Sequence, residues 1–304
     1  MTIESEIFIP YIPDRLMTFF NKYENVISIM FNIIKNSKPN IIDAYYYSEK
    51  HPPFNPRYKY TEKLYIGCIF YILKYGSTWD SFIGPISGKQ LNKRHNEYLL
   101  TDVYSQFFNK SLKLYLKTTN VKYLSLDATI FNNKYNIETD KHLPINKNRK
   151  GLKDSTIVDD KGSPLTPPII VDSSVHDSKI AIKNIDKIVN NEIINNSFRK
   201  TKGHIYLLAD SAYDDGKIRE KLKSNNIIPI IKPNNRSTKN PKKKRYLKKA
   251  EKKKYRKLLS VEHFFAIIKR HPKINCVYEK TIPSYEGLLL LLFGSILINR
   301  SIIT

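Results

Sequence analysis

The sequence is poor in the residues that mark several protein classes. It has two cysteines, Cys68 and Cys276, among 304 residues, and no Cys-x-x-Cys or Cys/His cluster, which argues against a disulfide framework or a structural zinc site. Both lie in apolar stretches and are expected to be core thiols. Ten glycines are too few for a collagen-like or low-complexity chain. No apolar run reaches the ~20 residues that span a bilayer. The longest, GLLLLLFGSILI over 287–298, reads as a buried helix. The opening Met1-Thr-Ile-Glu-Ser-Glu is acidic and has no apolar h-region, which predicts no signal peptide and a chain that is not secreted.

What the sequence has is positive charge: 52 Lys and Arg against 28 Asp and Glu, a net +24. With 41% hydrophobic and 12% aromatic residues it is no disordered polybasic tail. An excess of this size repels itself in the folded state, and nucleic acid is the commonest partner that it serves. An acidic membrane surface is the rival, but no basic amphipathic helix is evident, so no membrane partner is expected. The charge is concentrated in KNPKKKRYLKKAEKKKYRK, 239–257, where 12 of 19 residues are Lys or Arg and Glu251 alone opposes them. Such blocks are solvated faces or interaction arms.

Two regions follow from the patterning. Residues 1–120 read as all-helical. Thr61 caps a periodic segment that ends at Gly76, Thr78-Trp79-Asp80 opens a short second one, and Ser87 caps a third, SGKQLNKRHNEYLL; another runs from Asp102 to Lys117. Short helices with a tight turn before a basic one suit a helix-turn-helix type of DNA-binding domain, in which Lys89, Lys93 and Arg94 are the candidate groove residues; a solvated helix face is the plainer alternative. Residues 121–304 read β-β-β-α-β-α-β-α: strands at KYLSLDATI, Asp154 to Val158 and Pro168 to Val171, with a turn at Asp160-Lys161-Gly162; a helix from Ser178; the apolar strand IYLLA; a helix from Asp215 to Asn225; strand Ile227 to Ile231; and the helix VEHFFAIIKRH. That order makes a mixed sheet covered by helices, an α/β class.

Three acids stand out by position. Asp127 follows Leu124 and Leu126 at the end of the first strand, Asp210 ends IYLLA, and Glu262 sits in the first turn of the late helix. Ligand chemistry in open α/β sheets gathers at the carboxyl ends of strands. Carboxylates brought together need a counter-charge. Oxygen-only ligands favour Mg2+ or Mn2+, and two such ions clamp the attacking and leaving oxygens of a phosphoryl displacement. Each acid alone reads more readily as a turn residue, a helix cap or a partner of the helix dipole; the coincidence of three with a strongly basic chain is what favours the ligand reading.

These segments resemble the DDE transposases of bacterial insertion sequences, in the broad grouping of insertion sequences four and five. YILKYGSTWDSFIG is similar to the family's helix and Gly-x-x-Trp stretch, KNRKGLKDSTIVDDKGSPL to its basic loop and strand pair, and VDSSVHDSK to its His-Asp-Ser stretch. YLSLDAT, LLADSAYDD and VEHFFAIIKR resemble the three acid motifs and place them on Asp127, Asp210 and Glu262. Lys269 and Tyr255 fall at the Lys and Tyr positions of the family's Tyr-Arg-Glu-Lys signature; the Arg position holds Leu258, with Arg256 and Lys257 as the nearest cations.

The resemblance implies an RNase H-like mixed sheet flanked by helices. It implies a metal-bound Asp-Asp-Glu triad that nicks DNA at the ends of a mobile element and joins the freed 3′-hydroxyl to target DNA. The cofactor is Mg2+ or Mn2+ as two ions; the partner is double-stranded DNA, with a homodimer on it. The chain is then expected where its DNA is: cytoplasm or nucleoid in a prokaryote, nucleus or viral factory otherwise. Lys269, Tyr255, Arg256, Lys257, Lys242, Lys243, Lys244 and Arg245 are the expected DNA contacts of the catalytic domain. His176, Asp177 and Tyr213 are rim candidates. A nuclease of the same fold that cuts without joining, and a domesticated DNA-binding protein that lost activity, are the alternatives.

Overall fold

The structure is a computed structural model that describes residues 13–37, 60–76, 78–134, 151–236 and 244–303. It divides into two compact units, Met1–Phe107 and Phe108–Thr304. The change of unit falls inside a helix that the sequence pattern places wholly in the first region.

In the first unit α1 (Asp14–Lys22), α2 (Glu24–Ser37), α3 (Glu62–Tyr75) and α4 (Gly88–Leu100) precede the start of α5 (Val103–Thr118). Local chemistry sets the starts of α3 and α4. Thr61 Oγ1 accepts the Leu64 N–H, and Ser87 and Gln90 form a reciprocal capping box; caps of this kind contribute about 1 kcal/mol each. Helix α3 is the hub. Ile66, Ile69, Phe70, Ile72 and Leu73 are all buried, and Phe19 and Tyr23 pack on Phe70 with ring centroids at 5.5 and 5.0 Å. The segment expected to begin at Thr78 is a turn and not a helix: Thr78 and Ser81 hydrogen-bond each other's backbone, which satisfies the peptide groups without helix.

In the second unit the strands β1 (Tyr123–Asn133), β2 (Gly151–Asp159), β3 (Ile169–Asp172), β4 (Ile205–Ala209) and β5 (Ile227–Ile231) form one sheet in the order β3-β2-β1-β4-β5. β1 pairs antiparallel with β2 and parallel with β4; a short β6 (Cys276–Val277) adds to the far end of β1. The mixed sheet is flanked by α6 (Asp177–Val189), α7 (Glu192–Lys200), α8 (Gly216–Ser224), α9 (Lys249–Tyr255), α10 (Leu259–Ile268), α11 (Pro272–Asn275) and α12 (Ile282–Ile303). This is the mixed sheet flanked by helices, an α/β arrangement, that the order of elements predicts. IYLLA is buried along its whole length, as a parallel strand covered on both faces must be. The β2 hairpin turns at Gly162 with φ +76°, a conformation that needs glycine.

Two expectations change. The C-terminal apolar run belongs to a longer helix: Ile282–Ile302 is long and apolar enough to cross a membrane, yet it lies largely buried within this unit. Phe293 packs on Phe264 of α10 at 5.1 Å, and Tyr285 on Phe131 of β1 at 6.0 Å. Both cysteines are free; Cys68 is a core thiol, pushed up to about 12 by burial, whereas Cys276, in the two-residue β6, is only partly covered.

Candidate active site

The parallel ladder of β1 and β4 runs through Tyr123–Tyr206, Leu124–Leu207 and Ser125–Leu208. Beyond it β4 stops at Ala209 while β1 continues along β2 to Asn133. Asp127 and Asp210 stand at the fork thus opened. Side chains alternate along a strand, so Ser125 and Asp127 share a face. Ser125 Oγ is 3.1 Å from Ser260 Oγ and donates to the Lys257 carbonyl at 3.2 Å. That face is therefore the one against which α10 rests, with Glu262 in its first turn.

The carboxylates act on one another through space. The Asp127 carboxyl is pushed up to about 6, first by burial and then by Asp210, Asp177 and Glu262, against the pull of the Ala128 N–H. Tyr255, at the end of α9, is pushed up to about 12 by burial and by Asp210, Asp127 and Glu262. Asp210 also accepts the Ala212 N–H at 2.7 Å and so caps the 3-10 turn Ser211–Tyr213. Glu262 is exposed and forms no ion pair among the described residues.

The remaining expected residues sort differently. Tyr213 is not at a rim: it is 1% exposed, and its hydroxyl has no hydrogen-bond partner among the described residues, although burial and then Asp127, Asp177 and Asp210 raise its pKa well above normal and Ser155 pulls it weakly down. His176 is an exposed N-cap of α6 that accepts the Ser178 N–H. Asp177 pairs with Lys153, whose Nζ lies 2.8 Å from Asp177 Oδ1 and donates to the Val175 carbonyl. Lys269 lies over the Phe131 ring, 5.6 Å from its centroid, and burial lowers its pKa. Leu258 is buried in the 3-10 turn between α9 and α10, Lys257 reaches Asp160 at 3.0 Å, and Arg256 is exposed. Arg245 binds Asp214, and Lys244 is exposed; Lys242 and Lys243 lie outside the described residues. In the first unit Lys89 and Lys93 are exposed on α4, but Arg94 is turned inward, between Glu62 and Glu97 and over the Tyr65 ring.

Pattern reading missed Lys153, Asp214 and the stack of Lys254 over Tyr206, 3.8 Å from the ring centroid, with Tyr206 itself stacked on Tyr123. Only Asp214 had a local signal, as the acid that closes the LLADSAYD stretch.

Residues 123–297 match the transposase DDE domain family. The chain belongs to this family. It is a DNA transposase, a metal-dependent enzyme of DNA cleavage and strand transfer. No curated protein matches the transposase sequence. Solved structures similar to it include a pre-cleavage Mos1 transpososome, at 10% identity over 71% of each chain and a TM-score of 0.25. A Mos1 mariner paired-end complex with Mn is similar at 9% identity over 92% of this chain and 98% of that one, again with a TM-score of 0.25. At such scores the likeness adds nothing to the sheet order and pairing described above.

Transposases of this family use divalent metal ions. Among the described residues no group of three or more His, Cys, Asp or Glu side chains is arranged to hold an ion as the side chains stand. The donor set fits a hard cation nonetheless. Asp127, Asp210 and Glu262 offer oxygen only, and a bound cation would offset both the burial and the repulsion from neighbouring acids that push the Asp127 carboxyl up to about 6.

Proposed function

We propose that Asp127, Asp210 and Glu262 are the catalytic carboxylates of this transposase and that together they hold two Mg2+ or Mn2+ ions. The observation that carries this reading is the placement of Asp127 and Asp210 in step beyond the last β1–β4 pair, on the face against which the helix of Glu262 rests, with Asp210 and Glu262 acting on Asp127 and all three acids on Tyr255. Bound there, divalent ions supply Lewis-acid stabilisation of the charge that develops on the attacking and leaving oxygens.

The chain's own groups do the rest. Asp127 gives up its proton to become a ligand, so loading competes with protonation below about pH 6. Tyr255 stays protonated at neutral pH, because burial and the acids hold it at about 12. It is a donor, able to bond a phosphate oxygen that enters beside the carboxylates. Lys269, the C-cap of the helix that carries Glu262 and braced on Phe131, offers a cation to the DNA backbone. Exposed Arg256 and Lys244 extend the phosphate-binding surface of the catalytic region 121–304, and residues 1–120, with exposed Lys89 and Lys93, serve as a separate DNA-binding domain. Two element ends need two active sites, which is the reason for proposing a homodimer on DNA.

Asp127→Asn, Asp210→Asn and Glu262→Gln should each lower Mg2+-dependent nicking of duplex DNA by roughly a thousandfold or more, since each removes a metal ligand. Duplex affinity should stay within about twofold, because phosphate contacts supply it. Undiminished nicking in any one variant removes that residue from the triad. Joined products in the wild-type reaction separate a transposase from a nuclease that only cuts.

A further inference from the structure

Asp214, four residues past Asp210, has a side chain only 2% exposed that collects donors from three directions. Oδ1 accepts Arg219 Nε at 2.9 Å and Nη2 at 2.7 Å. Oδ2 accepts the Asn234 N–H at 2.8 Å and Arg245 Nη2 at 2.5 Å. Arg219 also donates to the carbonyl of Ile231, the last residue of β5. Asn235 closes the arrangement: its Nδ2 donates to the Arg245 carbonyl at 2.7 Å, and its Oδ1 accepts the Arg245 N–H at 3.1 Å. The chain leaving β5 and the chain entering α9 are thus tied to each other and to one buried carboxylate. Charge-assisted and bidentate bonds of this kind are the strong ones.

We propose that Asp214 is a positioning residue for DNA binding: by holding Arg245 it fixes the described part of the basic segment, from Lys244 through α9, beside the strand end that carries Asp210. Arg245 then serves as the anchor of this basic segment. The exposed cations that it brings into place are Lys244, Lys248, Lys249, Lys252 and Lys253, and they grip the DNA backbone. The inference deepens the DNA-binding part of the proposed function and rests on it.

Simple electrostatics gives the opposite expectation, which makes the test sharp. Asp214→Asn removes a negative charge beside a phosphate-binding surface, so charge alone would tighten DNA binding. The clamp requires weakening. In buffer without divalent ions, where no cleavage occurs, anisotropy with a labelled duplex should show Asp214→Asn and Arg245→Ala each binding about tenfold more weakly, with the salt slope reduced by about one to two. Asn235→Ala changes no charge and should move affinity in the same direction. Because Asn235 and Arg245 lie on the outer side of the clamp, their variants keep the test decisive if Asp214→Asn does not fold.

The double variant Asp214→Asn/Arg245→Ala should bind no more weakly than either single one, since both cut the same tie. Equal or tighter binding by Asp214→Asn, or additive losses in the double variant, overturns the clamp and makes Arg245 an ordinary phosphate contact. So does unchanged binding by Asn235→Ala. A wild-type chain that binds no duplex sinks the DNA reading and this inference with it. Wild-type binding with an unweakened Asp214→Asn sinks the clamp alone.

Discussion

Asp127, within β1, and Asp210, just past the end of β4, stand in step on neighbouring parallel strands, each two residues beyond the last pair, Ser125 opposite Leu208. Two carboxylates so placed, with Glu262 acting on the same point, cost stability in the absence of a cation. Mg2+ should therefore raise the wild-type melting temperature, by an amount equivalent to about 2.7 kcal/mol at a hundred times its Kd. Asp127→Asn should melt higher than wild type without metal and lose most of the Mg2+ response. Thermal melts with and without Mg2+ check both; an Asp127→Asn protein still stabilised as much as wild type would refute the assignment of this ligand.

Asp154 on β2 is fully buried, and its Oδ2 has no partner among the described residues. Burial pushes its carboxyl up to about 7 against the pull of Thr156 and Lys187, and Glu286 adds to the rise. The native state thus keeps a proton that the unfolded chain releases near pH 4. Its stability contribution is intact below the unfolded value and falls as pH rises to about 7. Asp154→Asn should flatten the stability profile between about pH 4 and 7 and gain about 2–4 kcal/mol over wild type at pH 8. Chemical unfolding across that range is the measurement, and a variant with the wild-type slope would disprove the account.

Lys153 and Asp177 tie the middle of the sheet to the start of α6. Lys153 is 9% exposed. Asp177→Ala leaves its ammonium with the Val175 carbonyl, and should cost about 3 kcal/mol, the scale for an uncompensated buried charge. Lys153→Met should cost less, because the Asp177 side chain is 30% exposed and rehydrates. The double variant should be more stable than the sum of the single losses implies. Urea melts of the four proteins decide; strict additivity means the pair does not interact.

Leu258 occupies the Arg position of the signature, and it is buried. A guanidinium placed there meets apolar packing before it meets DNA. Leu258→Arg should lower stability by about 2–3 kcal/mol and leave nicking no faster than in the wild type. Faster nicking at a temperature where both proteins are folded would show that a cation at this position reaches the site.

The features legible in the sequence are those with a local or periodic cause. Thr61 and Ser87 announce their helices by capping chemistry, Gly162 its turn by backbone freedom, and IYLLA its burial by an unbroken apolar run. Asp210 was legible as a strand-end acid and Glu262 as a first-turn one; Asp127, expected at the end of its strand, lies within β1, because β1 runs on to Asn133 along β2 after β4 has stopped. Helix α9 was not, since a run of lysines shows no apolar period. The Asp214 clamp joins residues 214, 219, 234, 235 and 245, which no spacing rule connects. The inward turn of Arg94 toward Glu62 depends on how α3 and α4 pack, and a helical wheel for α4 alone shows only a basic face.

Helix α12 has a consequence in time. Phe264 of the helix that carries Glu262 rests on Phe293, and Phe131 of the strand that carries Asp127 rests on Tyr285. Both props belong to the stretch that the ribosome makes after every acid is already in the chain. A nascent polypeptide can hold all three carboxylates and still lack the floor beneath them. On the proposed assignment, the metal site is supported only once α12 has been made and has packed beneath it.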